Sequence, residues 1–505
     1  MRKILLGTTA VVGAALLAPG AFAQPAATQV PAGGGAPTAG QAPLVPSGAG
    51  TGGIAVQPTP ALAGSGGLTV RLGGYFAFTG GYVQDDWDRG RSRNFSQQAT
   101  AVAPTFPTAV PGTAAPTGAP TYPGQVRNAQ SRARTDFRND MELNVFIDGR
   151  ASNGMTYGAV FEFQMDNAVT TTGDGTTVTF DEMYGFITLP NLGTLRFGQE
   201  DNAASLLQVR APASQALGGD AEWDEFIVQT GLADGSPYVI SGINDGNDAT
   251  KIIYLSPQFA GFDFGLSYAP NSFEGERTNI EGSTTTAQRD QTGLQNEFAA
   301  AIRYRGTFGA VGVQAGVGAM WADPPKLNTA GTAFGAIGNP RAQAVNAYTV
   351  GASISAYGFG FGGEYTWGQY RGASVGRTAV NAGVDGSSHY ILGATYTMGP
   401  LVFGAVFGQG FQGNGVQRVS GSGATAVYRD LDDRTHTIWG VGVAYNLAPG
   451  LVLFALYNNI NDENVPTSQP TNARYTGGAG TQLASFNGSN TRTINIGVAG
   501  IRLAF

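Results

Sequence analysis

Alternation with a period of two residues is the feature that most limits how this chain can fold. In 137–148, Phe137, Met141, Leu143, Val145 and Ile147 share one face, while Arg138, Asp140, Glu142, Asn144 and Asp148 share the other. In 157–166, Tyr157, Phe161, Phe163 and Met165 alternate with Glu162, Gln164 and Asp166. Leu68, Val70 and Leu72 likewise oppose Thr69, Arg71 and Gly73. The pattern returns at Phe262/Phe264/Leu266/Tyr268, at Phe298/Ile302/Tyr304 and at Phe359/Phe361/Tyr365/Trp367. Successive side chains of a strand point to opposite sides, so each run predicts a strand with one apolar and one polar or small face.

Such runs predict sixteen strands: 68–83, 134–148, 155–167, 178–189, 194–200, 249–255, 261–269, 295–305, 310–320, 344–355, 359–370, 388–397, 401–410, 434–447, 451–460 and 491–505. A soluble β-sandwich also alternates, but two features favour a transmembrane antiparallel β-barrel. Aromatic residues recur near the strand ends, among them Tyr254, Tyr268, Tyr304, Tyr365, Trp367, Tyr396, Tyr445 and Tyr457. An interfacial girdle needs them there. Connections also alternate short and long. Tight turns lie near 149–154, 190–193, 256–260, 306–309, 356–358, 398–400 and 448–450, and longer polar loops lie near 84–133, 168–177, 201–248, 270–294, 321–343, 371–387, 411–433 and 461–490. Outer-membrane barrels pair short periplasmic turns with long external loops in this way. Sixteen strands make a barrel too wide to fill with side chains alone.

Composition agrees. Mean hydropathy is −0.06, yet charged residues are only 12%, against about 25% in soluble domains. One face meeting lipid and one meeting water gives that average. Glycine, 77 of 505 residues, relieves crowding on curved strands and fills turns. With no cysteine, rigidity has to come from the hydrogen-bonded ladder. The net charge of −7 argues against nucleic acid as a partner.

The N-terminus reads as a secretory signal peptide over 1–23: basic Arg2 and Lys3, an uncharged apolar run, then Ala21-Phe22-Ala23 before Gln24. Residues 24–67 are rich in Pro, Ala, Gly and Thr and cannot bury a core, so they are expected as a disordered periplasmic segment. The barrel domain spans 68–505. Its last strand changes parity, because Ile494, Ile496 and Val498 are even-numbered and Ile501, Leu503 and Phe505 odd-numbered. A bulge near Ala499-Gly500 would account for that switch.

Residues 68–505 resemble the general, non-specific Gram-negative porins, especially the alphaproteobacterial ones. The likeness rests on the opening LTVRLGGYFAF, on Thr179-Phe180-Asp181-Glu182-Met183-Tyr184 through Gly193-Thr194-Leu195-Arg196-Phe197-Gly198-Gln199-Glu200-Asp201, and on the terminal Phe505. The resemblance implies a homotrimer in the outer membrane, among its lipid and lipopolysaccharide. It also implies a third loop folded into the lumen as a constriction. The expected activity is passive diffusion of small hydrophilic solutes and ions through water. The segment 24–67 and the long loop 84–133 depart from compact family members.

Such a pore needs a hydrated path and a field across it, and no covalent chemistry. The acidic side of the constriction would come from Glu200, Asp201, Asp220, Glu222, Asp224 and Glu225 of the third loop. The basic side would come from Arg132, Arg134, Arg138 and Arg196, which all have the non-lipid parity. The negative net charge favours cations at the mouths, while the arginines oppose this, and the sequence does not rank the two.

Other chemistries find less support. Asn244-Asp245-Gly246-Asn247-Asp248 has oxygens spaced for Ca²⁺, but it lacks a distal Glu, and an Asx-rich turn is the simpler reading. No cofactor is implied. His389 and His436 are the two histidines, too far apart in sequence to suggest a metal site. A barrel-borne lipid-modifying enzyme would need a Ser–His pair at the lipid-facing rim, and His389 has inward parity. A substrate-specific channel would show an aromatic slide or clustered Lys inside, and neither is evident.

Overall fold

The computed structural model describes residues 62–63, 67–85, 134–166, 169–170, 173–174, 177–214, 223, 226–227, 242–243, 249–272, 291–327, 342–370, 380–466, 471–476 and 491–505. Sixteen antiparallel strands close into one barrel. They are β1 (Thr69–Asp85), β2 (Thr135–Arg150), β3 (Thr156–Asp166), β4 (Thr177–Leu189), β5 (Gly193–Gln199), β6 (Thr250–Leu255), β7 (Phe262–Asn271) and β8 (Gln295–Phe308). The second half holds β9 (Val311–Asp323), β10 (Val345–Ala356), β11 (Phe359–Gln369), β12 (Ser387–Met398), β13 (Leu401–Gln412), β14 (Arg434–Ala448), β15 (Leu451–Glu463) and β16 (Arg492–Ala504). Each predicted strand is found. Every strand pairs with its neighbours in sequence, and β1 pairs with both β2 and β16.

That last pairing removes the open edge. It runs without interruption from Tyr75 opposite Ala504 to Asp85 opposite Ile494. The chain end extends it, since Gly74 and Phe505 exchange two backbone hydrogen bonds of 3.0 Å. Every backbone group in lipid needs an internal partner, so closure is what allows strands to cross a bilayer.

Side chains alternate as the sequence predicts. Phe76, Phe78, Phe137, Phe197, Phe264, Tyr268, Phe361, Trp367, Trp439 and Leu503 point outward and are exposed. Their aromatic rings also meet across strands, as in Phe298–Trp321, Trp321–Tyr348 and Tyr348–Trp367. Such a surface is stable only against lipid. Tight turns use left-handed backbone at the short end, for example Tyr357 (φ 53°) followed by Gly358 (φ 84°) between β10 and β11.

The expected bulge at Ala499-Gly500 is absent. β16 holds register against β1 and β15 from Ile494 to Leu503. Ile494, Ile496 and Val498 instead point inward and are buried. They are apolar because a loop inside the barrel packs on them. Ladder irregularities occur elsewhere, at Phe161/Phe163 and Asn446/Ala448.

Candidate functional site: the barrel interior

The connection from β5 to β6 enters the barrel. It begins with a short helix α1 (Ala203–Leu207). Asn202 caps it, its Oδ1 accepting from the amides of Ala204 and Ser205 at 2.9 Å each. Two contacts fix α1 to the wall. The Ala203 amide donates to Ser267 Oγ on β7 at 3.0 Å, and Asn202 Nδ2 donates to Glu297 Oε1 on β8 at 3.4 Å.

From α1 the chain runs along inward-facing glycines. Leu207 lies over Gly265, Val209 over Gly316 and Gly351, and Pro212 over Gly360, Gly362 and Gly393. At Gly351 an added Cβ would overlap the Val209 carbonyl oxygen, and at Gly393 it would overlap that of Pro212. The glycines thus let loop backbone press against strand backbone. Ala213, in a left-handed conformation (φ 63°), then packs near Val402, Ala444 and Val452.

Further on, Trp223, Phe226 and Ile227 sit in a cluster with Val83, Leu456, Ile460, Ile494, Ile496 and Val498. Trp223 has no exposed surface. The returning chain is tied to the outgoing one by Gln208, which donates to the Ile243 carbonyl and accepts from its amide, both at 2.8 Å. Glycine track and aliphatic wall thus hold the described parts of the loop against the inner face of the barrel.

Charges at the root of the loop are paired. Arg196 Nη1 meets Glu200 Oε2 at 2.9 Å and stacks over the Tyr184 ring at 5.1 Å. Lys251 Nζ donates to the carbonyls of Glu200 at 2.6 Å and Ala249 at 3.0 Å. Burial pushes the Glu200 carboxyl up to about 7, against the pull of Arg196. Burial also raises Asp201, which accepts from Ser205 Oγ at 3.0 Å. Arg196 and Glu200 therefore touch each other directly; they do not face one another across a gap.

Of the other candidates, Arg138 points inward on β2, opposite Thr79 of β1. Arg134 is exposed, with Nη1 3.5 Å from the hydroxyl of outward-facing Tyr82, so it is not brought to Arg196. Arg132, Asp220, Glu222, Asp224, Glu225 and the run 244–248 lie outside the described residues.

The wall also holds charged groups that the sequence reading did not name as site residues. Arg434 and Asp462 form a double hydrogen bond, joined by His436. Arg492 pairs with Asp85, and Arg303 and Arg305 share Asp263 at 2.7 and 2.8 Å. His389 Nδ1 lies 2.8 Å from the Tyr370 hydroxyl. Asp140, Glu142, Glu162 and Glu182 form an inward acidic strip on β2–β4. Parity already put Asp140, Glu142 and Glu162 on the non-lipid face, and that was the available signal. The partner of each ion pair depends on strand register, which the sequence does not state.

The family model for Gram-negative porins matches residues 13–465. No curated protein matches the chain. Similar solved structures include a mutant of the Rhodobacter blastica porin (14% identity, 86% of this chain and 100% of that one, TM-score 0.42). The anion-selective porin from Comamonas acidovorans is similar at 14% identity, over 87% of this chain and 100% of that one, with TM-score 0.43. The outer membrane channel DcaP of Acinetobacter baumannii is similar at 11% identity, over 88% and 99%, with TM-score 0.46. The family match covers most of the chain, and with the closed barrel described above it makes this protein a member of the Gram-negative porin family, an outer-membrane channel for passive diffusion.

Proposed function

We propose that the protein is a non-specific pore for small hydrophilic solutes and ions, narrowed by the 201–249 loop, with Arg138, Arg196, Glu200 and Asp201 at or beside the narrow section. One observation carries this reading: the outward faces are apolar while the inward faces carry acids, arginines and amides along the whole barrel. That arrangement suits a water path through lipid.

The same reading takes 1–23 as the export signal and the assembled form as a homotrimer surrounded by lipid and lipopolysaccharide. No catalytic role is proposed. Transport needs only hydration and a field, and His389, the residue an enzyme reading would need at the rim, is buried inside beside Tyr370.

Liposome swelling tests the function. Proteoliposomes should admit neutral sugars at rates that fall smoothly with solute size. Uptake of one sugar with saturation, and exclusion of smaller ones, would point to a specific channel. Chemical cross-linking in native membranes should trap dimers and trimers, and a monomer alone would remove the trimer from the proposal.

A further inference from the structure

At the long-loop end of the barrel, three connections meet above β11 to β15. The one after β11 returns at 380–386, the one after β13 runs from Gly413 to Asp433, and the one after β15 passes Asn464. Hydrogen bonds lock them together. The Gly413 amide donates to the Gly386 carbonyl at 3.1 Å. Asn414 Nδ2 donates to the carbonyls of Asp432 at 2.9 Å and Asn464 at 2.8 Å. Asn464 Nδ2 in turn donates to the Asp433 carbonyl at 2.9 Å. Gly413 lets the first two connections touch, since a Cβ there would lie 2.7 Å from the Asp385 carbonyl oxygen and 3.0 Å from the Asp385 Cβ.

This locking brings like charges together. Asp385, Asp432 and Asp433 are exposed, and none of their carboxylates has a cationic partner among the described residues. Partial burial raises the Asp433 carboxyl above its ordinary value, and the charges of Asp385 and Asp432 raise it further. Arg434, next in the chain, is taken by Asp462 through two bonds of 2.8 Å.

Beside these acids lies an unmet amide. Gln412, the last residue of β13, is 2% exposed, and neither its Oε1 nor its Nε2 has a partner among the described residues. It lines a small cavity with Asp385, Gly413 and Tyr370 that has room for one occupant about the size of a water. Asn414, two residues on and fully buried, likewise leaves its Oδ1 unmet. Buried amides ordinarily have partners. Amide and carboxylate oxygens without a counter-charge are the donor set of a hard cation. No three His, Cys, Asp or Glu side chains among the described residues group closely enough to hold a metal by themselves, so the amide oxygen is needed to complete the set.

We propose that the carboxylates of Asp385 and Asp433 and the Oε1 of Gln412 bind a Ca²⁺ ion that pins the 380–386 connection to the 413–433 connection. Ca²⁺ accepts about six to eight oxygens in flexible geometry, with waters filling the set, which suits ligands from separate loops. Gln412 Nε2 is then left to donate to one of those waters.

Terbium(III) substitutes for Ca²⁺ and luminesces beside an excited tyrosine, and Tyr370 lines the same cavity. The purified protein in detergent, treated with chelator and then freed of it, should show terbium luminescence that Ca²⁺ displaces at about 10⁻⁴–10⁻³ M. Asp385→Asn with Asp433→Asn should weaken that displacement at least about tenfold. Both residues are exposed, so the double variant should still migrate as a folded, heat-modifiable barrel. Gln412→Met, which keeps the side-chain length and removes the oxygen, should weaken it by about threefold or more. Asp430→Asn, whose carboxylate meets Arg474 at 3.5 Å, should leave it unchanged. Ca²⁺ should also slow protease cleavage within 380–386 in the wild type and not in the double aspartate variant. No Ca²⁺-displaceable signal, or one that the aspartate and Gln412 variants leave unchanged, overturns the proposal and makes water the partner of Gln412. Either of those failures leaves the pore reading standing, because conductance tests that reading separately.

Discussion

Arg434 and Asp462 face each other across β14 and β15 through two parallel hydrogen bonds of 2.8 Å, with neither side chain exposed. His436 Nδ1 lies 3.2 Å from the same carboxylate. Asp462→Asn should therefore cost more than an ordinary surface change, about 3–5 kcal/mol, because it strands a buried guanidinium. Detergent-phase guanidinium unfolding, or the temperature at which the folded band shifts on a gel, reads this. Replacing both residues with aliphatics of similar volume should recover most of the loss. Equal damage from the single and double replacements would contradict that reading of the pair.

Gly351→Val tests the glycine track. Its side chain would displace the Val209 carbonyl and push the loop off the wall. The ladder hydrogen bonds of β10 are unaffected, so the barrel should still fold, with altered single-channel conductance and more current noise. Gly497→Ala is the control, since its nearest neighbour, the Leu456 carbonyl oxygen, is 3.9 Å from the added carbon and no positive φ is required. Unchanged conductance in Gly351→Val would mean that the loop is not held by this contact.

Trp223→Ala should release the far side of the loop. Truncating a fully buried aromatic costs about 3–5 kcal/mol of local packing. The strands themselves are held by their own ladder, so the expected result is a folded barrel with faster protease cleavage within 215–248 and flickering current. Wild-type protease resistance would argue that the aliphatic wall does not anchor the loop.

Glu200 gives a pH dependence. Burial raises its carboxyl to about 7, from an ordinary 4.5. Above that pH it is ionised and balances Arg196. As the pH falls through it the charge is lost, leaving Arg196 in excess at the root of the loop. The ratio of cation to anion current should therefore fall between about pH 8 and pH 6, and Glu200→Gln should shrink that step. For stability the sign is the reverse of a usual salt-bridged acid. A raised native pKa contributes stability below the ordinary value, and this is lost as the pH rises towards 7.

The strands were legible because lipid imposes one rule on every crossing. Outward residues such as Phe264, Phe361 and Leu503 must be apolar, and their neighbours in sequence point inward. Strand ends were less clear. The structure continues β9 to Asp323 and β15 to Glu463, a few residues beyond expectation. There the outer faces turn polar, as at Asn459 and Asn461, and the lipid rule no longer applies.

Interior detail was harder to read. Ile494 and Ile496 look like lipid-facing residues, since nothing in β16 announces that Trp223 lies against them. Glycine was expected for turns and curvature, but Gly351 and Gly393 make room for a loop distant in sequence. Arg196 and Glu200 were expected on opposite sides of a gap, and their contact follows from how the chain leaves β5.

The most direct test of the central claim is single-channel recording of the purified protein in a planar bilayer. The account predicts large, ohmic conductance steps, often arriving in threes. Silent membranes from protein that still migrates as a folded, heat-modifiable barrel would contradict it, and would mean that the inward loop closes the lumen.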